Sequence, residues 1–176
     1  MKNSKEFVYN SRRGFTRQNF LKKISGGFTL LELLVVVGII GILASVIFVA
    51  LNSSQNKSAD AAVKANLNTI RSMSELFAAN NGNSFLPSGG IAVSGTCPLA
   101  YNSSGTNMLS KDKVIVSAII EAVKRGSDAG SCYNTSNAWA IAVGLKSDTT
   151  KSWCVDSGGM SKQVIKATAI VNNACN

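Results

Sequence analysis

The stretch "GGFTLLELLVVV", Gly26 to Val37, decides how the chain is organised. One carboxylate, Glu32, stands near the start of an apolar run that carries no further charge from Leu33 to Leu51. A charge at the centre of a membrane-length helix costs about 2.5–3.5 kcal/mol on insertion scales, so its presence asks for a partner. Phe28 to Leu51 would make a helix about 36 Å long at 1.5 Å per residue. That is enough to cross a hydrocarbon core of about 30 Å. An ordinary secretory signal would have a shorter apolar region followed by a small-residue cleavage site. "FVALNSS" offers such a site, but the run is too long and carries a carboxylate.

Outward from this run, charge is unevenly placed. The formal charge of the whole chain is +9. Residues 1–27 hold Lys2, Lys5, Arg12, Arg13, Arg17, Lys22 and Lys23 against Glu6, a net +6, and the remainder of the chain carries only +3. An excess of basic residues just before an apolar run marks a segment kept on the cytoplasmic side of a membrane. A basic nucleic-acid arm is the competing reading, and no specific nucleic-acid partner is expected. An earlier "GFT", Gly14 to Thr16, is followed by Arg17 and Gln18 and leads into no apolar run.

After Leu51 the helical pattern continues without proline. Ala59, Val63, Leu67, Ile70 and Phe77, with Met73 between the last two, form one apolar stripe. Lys57, Lys64, Arg71 and Glu75 lie mostly off it, and Asn80, Asn81 and Gly82 supply a stop. The helix is therefore expected to be apolar all round in its first half and amphipathic in its second. Residues 82–110 read as a long connecting loop. "KDKVIVSAIIEAVKRG" predicts a short helix with Val114, Ile115, Ala118, Ile119, Ala122 and Val123 buried and Gly126 ending it. "GSDAGSCYNTSN" reads as loop. "AWAIAVGLK" alternates with period two, with Trp139, Ile141, Val143 and Leu145 on one face and Ala or Gly on the other. "KSWCVDSGG" and "KQVIKATAIV" follow as two more strands, giving an antiparallel meander. The expected fold class is α+β: a long N-terminal helix packed on a small antiparallel sheet with one short extra helix. The expected divisions are a leader, 1–27; an apolar half-helix, 28–51; an amphipathic half-helix, 52–81; and a globular α+β head, 82–176.

The four cysteines, Cys97, Cys132, Cys154 and Cys175, contain no CxxC pair, and the chain has no histidine. In a domain that an N-terminal anchor places outside the membrane, an even number favours two disulfides over zinc or free thiols. Three pairings are open. Cys97–Cys132, bracketing the short helix, and Cys154–Cys175, tying the tail to the second strand, are preferred. Asp128, Asp148 and Asp156 fall in turns and are candidate calcium ligands, although solvated turn aspartates are commoner. No base stands ready for a nucleophile and no carboxylates are spaced as a dyad, so no enzyme activity, metal or cofactor is expected.

The segment "SGGFTLLELLVVVGIIGILASVIFVALN" strongly resembles the N-terminus of the type IV pilin and pseudopilin family. The likeness lies in the basic leader ending in glycine, the Phe-Thr-Leu that follows, the glutamate fifth from the new terminus and the membrane-length helix. "GILASVIFVALNSSQNKSADAA" and "SWCVDSGG" resemble pilins of small-genome candidate-phylum bacteria. The resemblance implies cleavage of Gly27–Phe28 by a prepilin peptidase, N-methylation of Phe28, and a role for Glu32 in assembly. It implies an ion pair between Glu32 and the new Phe28 ammonium of a neighbouring subunit; snorkelling at the membrane edge is the plainer account of Glu32. Gly38, Gly41 and Ser45 lie at steps of three and four, where small residues let helices approach. Glycine also weakens a helix, and members of the family can unwind there. Many also carry a proline where this chain has Val49, which leaves unwinding open.

The implied function is a structural pilus subunit. It would be a single-pass membrane protein before assembly and part of an extracellular filament afterwards. Its implied partners are copies of itself, other pilins, the prepilin peptidase/methyltransferase and the inner-membrane assembly machinery. The alternatives are a pseudopilin of a type II secretion or DNA-uptake system, or an anchored binding protein that never polymerises.

Overall fold

The computed structural model describes residues 27–176. The basic leader and the first GFT triplet lie outside the described residues. The chain divides into two units, the first ending at Ile42 and the second running Leu43–Asn176.

Helix α1 runs Leu30–Asn80. Its side chains through Leu51 are exposed, apart from a half-buried Ala44. From there on, Asp60, Val63, Leu67, Ile70, Ser74, Phe77 and Ala78 are buried at helical spacing. Ala59, expected in the stripe, is only half-buried and Asp60 takes the buried place beside it. The helix stops where its last carbonyls find other donors. Asn81 and Asn83 both donate their backbone N–H to the Ala78 carbonyl, at 2.9 Å each. This return needs positive φ, +66° at Gly82 and +61° at Asn83, which glycine and asparagine tolerate best.

Five strands follow: β1 Val93–Thr96, β2 Ser131–Asn134, β3 Trp139–Gly144, β4 Lys151–Asp156 and β5 Ser161–Ile165. They form one antiparallel sheet in sequence order. Two of them correct the sequence reading. β1 lies in the stretch expected to be loop, and β2 in "GSDAGSCYNTSN". Both are four residues long and polar, and they pair with neighbours through backbone bonds rather than through an apolar pattern. The third expected strand also ends early, at Ile165. A 3-10 turn, Lys166–Thr168, and a small hairpin, β6 Ile170–Val171 with β7 Ala174–Cys175, take up the rest.

Two short helices stand where one was expected. Helix α2, Met108–Lys111, is capped by Asn107, whose side chain accepts from Ser110 N at 3.0 Å. Helix α3, Lys113–Arg125, is capped by Asp112, which accepts from the N–H groups of Val114 and Ile115 at 2.9 Å. On α3, Val116 is buried and Val114 exposed, the reverse of the expected choice between them.

Strand β3 is buried on both faces. Trp139, Ile141 and Val143 join Val63, Leu67, Ile70 and Phe77 of α1 and Ile115, Ile119 and Ala122 of α3 in the main core. Ala142 on the other face joins Cys154, Val164, Ala169 and Cys175 in a second, smaller core. Small residues on that face let the β6–β7 hairpin lie close. The hairpin turns on Asn172 and Asn173, with φ +49° and +70°. Two positive φ values in a two-residue loop are what a type I′ turn requires.

Three contacts tie the buried half of α1 to β4 and to the turns on either side of it. The Asp60 carboxylate accepts from Lys146 N at 2.6 Å and Ser147 N at 3.2 Å, and from the Ser147 hydroxyl. Lys64 Nζ lies 4.4 Å from the centre of the Trp153 ring. The Arg71 guanidinium donates to the Met160 carbonyl.

Candidate functional site

The candidate site is the start of α1. Gly27 and Phe28 are exposed ahead of the helix, and nothing lies within 4 Å of where a Cβ on Gly27 would sit. The Glu32 carboxylate turns back on its own helix. Its Oε2 accepts from Thr29 N and from the Thr29 hydroxyl, both at 2.9 Å. Glu32 N in turn donates to Thr29 Oγ1 at 3.1 Å. This is a capping box, in which two side chains satisfy orphan N–H groups of the first turn reciprocally. The positive end of the helix dipole favours the carboxylate there as well. Thr29 was not singled out from the sequence, although "TLLE" before an apolar run is the capping-box signature.

Seventeen large apolar side chains between Phe28 and Leu51 are exposed. Burying each would gain about 1.5–3 kcal/mol. The total, tens of kcal/mol, exceeds the whole stability of an ordinary domain, about 5–15 kcal/mol. Such a surface demands lipid or other helices. The helix contains an uncharged window whose mean hydropathy is 3.1, none of it buried. Gly38 and Gly41 have open space where a Cβ would stand, and the helix passes unbroken through them and through Val49. Ser45 is exposed on the same stretch.

Away from the helix start, the cysteines form two disulfides, Cys97–Cys132 and Cys154–Cys175. The first ties the end of the edge strand β1 to β2, and the second ties the C-terminal hairpin to β4. The three aspartates expected in turns are occupied by protein donors, and one of them, Asp156, is the last residue of β4 rather than a turn residue. Asp128 accepts from Gly130 N and Gly144 N, at 3.0 and 2.9 Å, and pairs with Lys166 at 3.1 Å. Asp156 accepts from Gly158 N, Met160 N and Cys175 N. Asp148 accepts from the Thr150 hydroxyl and N–H, which hold its pKa below the ordinary carboxylate value, with a smaller contribution from Lys151. Among the described residues, no three potential metal-ligating side chains gather.

Residues 22–48 match the family model of the prokaryotic N-terminal methylation motif. The match supports a type IV pilin-like or pseudopilin protein. The match covers the basic end of the leader, the Gly27–Phe28 bond, the capping box and most of the exposed apolar helix. No curated protein and no solved structure matches the chain. The motif is that of proteins processed by a prepilin peptidase, and together with the apolar helix it fits anchoring in a membrane before assembly. Pilin-type proteins are structural rather than enzymatic.

Proposed function

We propose that this pilin-like protein is a structural subunit of a surface filament. Gly27–Phe28 would be cut on the cytoplasmic side and Phe28 methylated. The subunit would wait in the membrane on its apolar half-helix. Residues 28–51 would then pack against other copies in the filament core, with Gly38, Gly41 and Ser45 allowing close approach. The residues beyond the helix would face outward from the cell.

The observation that carries this reading is the state of Glu32. Both Thr29 bonds fall on Oε2, so Oε1 keeps its lone pairs for another donor. In the membrane the capping box shelters the carboxylate. Among packed apolar helices, the ammonium of a neighbouring Phe28 would supply the remaining partner. Such a pair adds little net stability, because desolvation opposes the Coulomb gain, but a mismatched height leaves a charge buried and unpaired. The pair therefore acts as a register device.

Glu32→Leu tests this. Insertion should be unimpaired, since an insertion cost is gone. Cleavage at Gly27 should continue. The subunit should be present in membrane fractions but reduced at least tenfold in sheared filaments, because an unpaired buried ammonium costs several kcal/mol. Normal filament yield would overturn the pairing. Loss of the subunit from the membrane fraction would overturn the anchored-subunit reading itself.

A further inference from the structure

Within the second unit, two open clefts lie side by side where the apolar run ends. The first, of about 510 Å³, is lined by Phe48, Val49, Asn52, Ser53, Asn56 and Ser147. The second, of about 370 Å³, is lined by Gln55, Asn56, Ser58, Ala59, Arg125 and Lys146. Asn56 belongs to both, and Lys146 and Ser147 are neighbours on one turn. From the first cleft to the second, the lining passes from exposed phenylalanine and valine, through amides and hydroxyls, to two cations.

The charges around the second cleft are unequal. Lys57 and Lys124 adjoin its lining residues in sequence, next to Arg125 and Lys146. Three acids stand against these four bases: Asp148, next to Ser147, is paired with Lys151 at 3.4 Å, and the other two are also engaged. Glu121 is paired with Arg125 at 3.2 Å on the exposed face of α3. The Asp60 carboxylate is turned inward to the N–H groups of Lys146 and Ser147. Basic surplus beside an apolar ledge has the polarity profile of an anionic phospholipid, whose phosphate sits a few ångströms above its acyl chains. The ledge begins three residues before Leu51, the last residue of the apolar run, and the first charge beyond that run is Lys57, which places the cations at headgroup depth.

We infer that the Arg125–Lys146 cleft seats the phosphate of an anionic phospholipid in the non-cytoplasmic leaflet, with its chains along Phe48 and Val49. The contact holds the waiting subunit against the bilayer surface and must be given up when the subunit leaves for a filament. The inference rests on the membrane-anchored reading above.

The test places the full chain in nanodiscs of phosphatidylcholine and of phosphatidylglycerol. Lysine acylation by a neutral reagent is then followed by mass spectrometry. Lys146 should react about fivefold more slowly in phosphatidylglycerol, the equivalent of about 1 kcal/mol per basic residue near an anionic surface. Lys113, at the far end of α3, should react alike in both. Arg125→Gln should restore most of the Lys146 reactivity. Equal reactivity in the two discs would overturn the inference while leaving the anchor intact. Protection that survives Arg125→Gln would overturn it in favour of a diffuse surface potential. Protection by inorganic phosphate in phosphatidylcholine discs would overturn the lipid as the ligand. A chain that inserts into neither disc would overturn the anchored reading, and the lipid site with it.

Discussion

Helix α1 holds two regions that share a backbone geometry and differ in almost everything else. From Leu33 to Leu51 it is apolar on every side, and none of its side chains is buried. From Asn52 to Asn80 they are mostly polar, yet a single stripe, from Val63 through Leu67 and Ile70 to Phe77, lies in the main core. The second region finds its partner within the chain. The first finds none among the described residues, and its composition would be a poor choice for a helix in water: Val35, Val36, Val37, Ile39 and Ile40 are β-branched and lose side-chain freedom in a helix. In lipid that objection fades, because every backbone polar group must be bonded within the segment and the helix does this by itself. The contrast teaches that hydrophobicity does not set burial within the chain. The period of the pattern does: a stripe is buried by the chain's own sheet, whereas all-round apolarity waits for something outside it.

Paired truncations give the largest effect. Leu67→Ala removes a fully buried side chain and should cost about 2–5 kcal/mol of stability in the second unit. Leu34→Ala, of the same chemistry, should cost nothing measurable there. The measurement is denaturant unfolding of the full chain in detergent, followed by fluorescence of the buried Trp139. A comparable loss from both substitutions would break the comparison.

Much of this division was legible in the sequence, because both regions announce themselves by period over many residues. The stripe on α1 and the alternation in β3 follow from side-chain spacing, and Gly126 marked the end of α3; its N-cap, Asp112, was not read. The strands β1 and β2 were not legible. "VSGT" and "SCYN" carry no apolar alternation, and backbone pairing with β3, together with the Cys97–Cys132 link, gives them strand form. The small face of β3 was read, but not what covers it; the Asn172–Asn173 turn was the available signal. At the helix start Glu32 stood out by its charge. Thr29 escaped notice because a hydroxyl beside an apolar run stands out only when its spacing to Glu32 is counted. Asp60 was hidden for a different reason: its partners are backbone N–H groups some 86 residues away in sequence, which no local pattern encodes.

Asp60 gives the next effect in size, and it sharpens the comparison at the point where α1 begins to be buried. Asp60→Ala leaves the N–H groups of Lys146 and Ser147 without their acceptor. Unsatisfied donors of this kind cost about 1–3 kcal/mol each when water cannot reach them. The loss should appear in the same unfolding measurement, with faster hydrogen exchange at Lys146 and Ser147. Unchanged exchange at both amides would show that the carboxylate does not hold that turn.

Thr29→Ala makes the corresponding change in the exposed region. It removes the capping-box bonds and should weaken the first turn of α1 by about 0.5–2 kcal/mol. The second unit should unfold as before. Exchange at the amides of residues 30–33 in detergent reads the change. A drop in stability of the second unit would mean that the two regions do not respond independently.

The smallest effect concerns pH and lies wholly in the second unit. Asp148 is held below its ordinary carboxylate value of 3.8 by the Thr150 hydroxyl and N–H, and less by Lys151. A depressed folded-state pKa means that the native chain favours the ionised form. The stability this gives is complete above the ordinary value and is lost as pH falls through the lower, folded value. The Asp148 side chain is more than a third accessible, so water screens the contribution and its size should fall below that of every substitution above. Asp148→Asn keeps a side-chain oxygen for the turn and removes the charge. The stability difference between the two chains should therefore be constant from pH 7 to about 5, and should narrow as the pH drops below 3.8. Comparing the two chains cancels the carboxylates they share, including Asp60 and Asp156. A difference that stays the same down to the lowest pH reached would mean that the Thr150 bonds do not distinguish the charged carboxylate from a neutral amide.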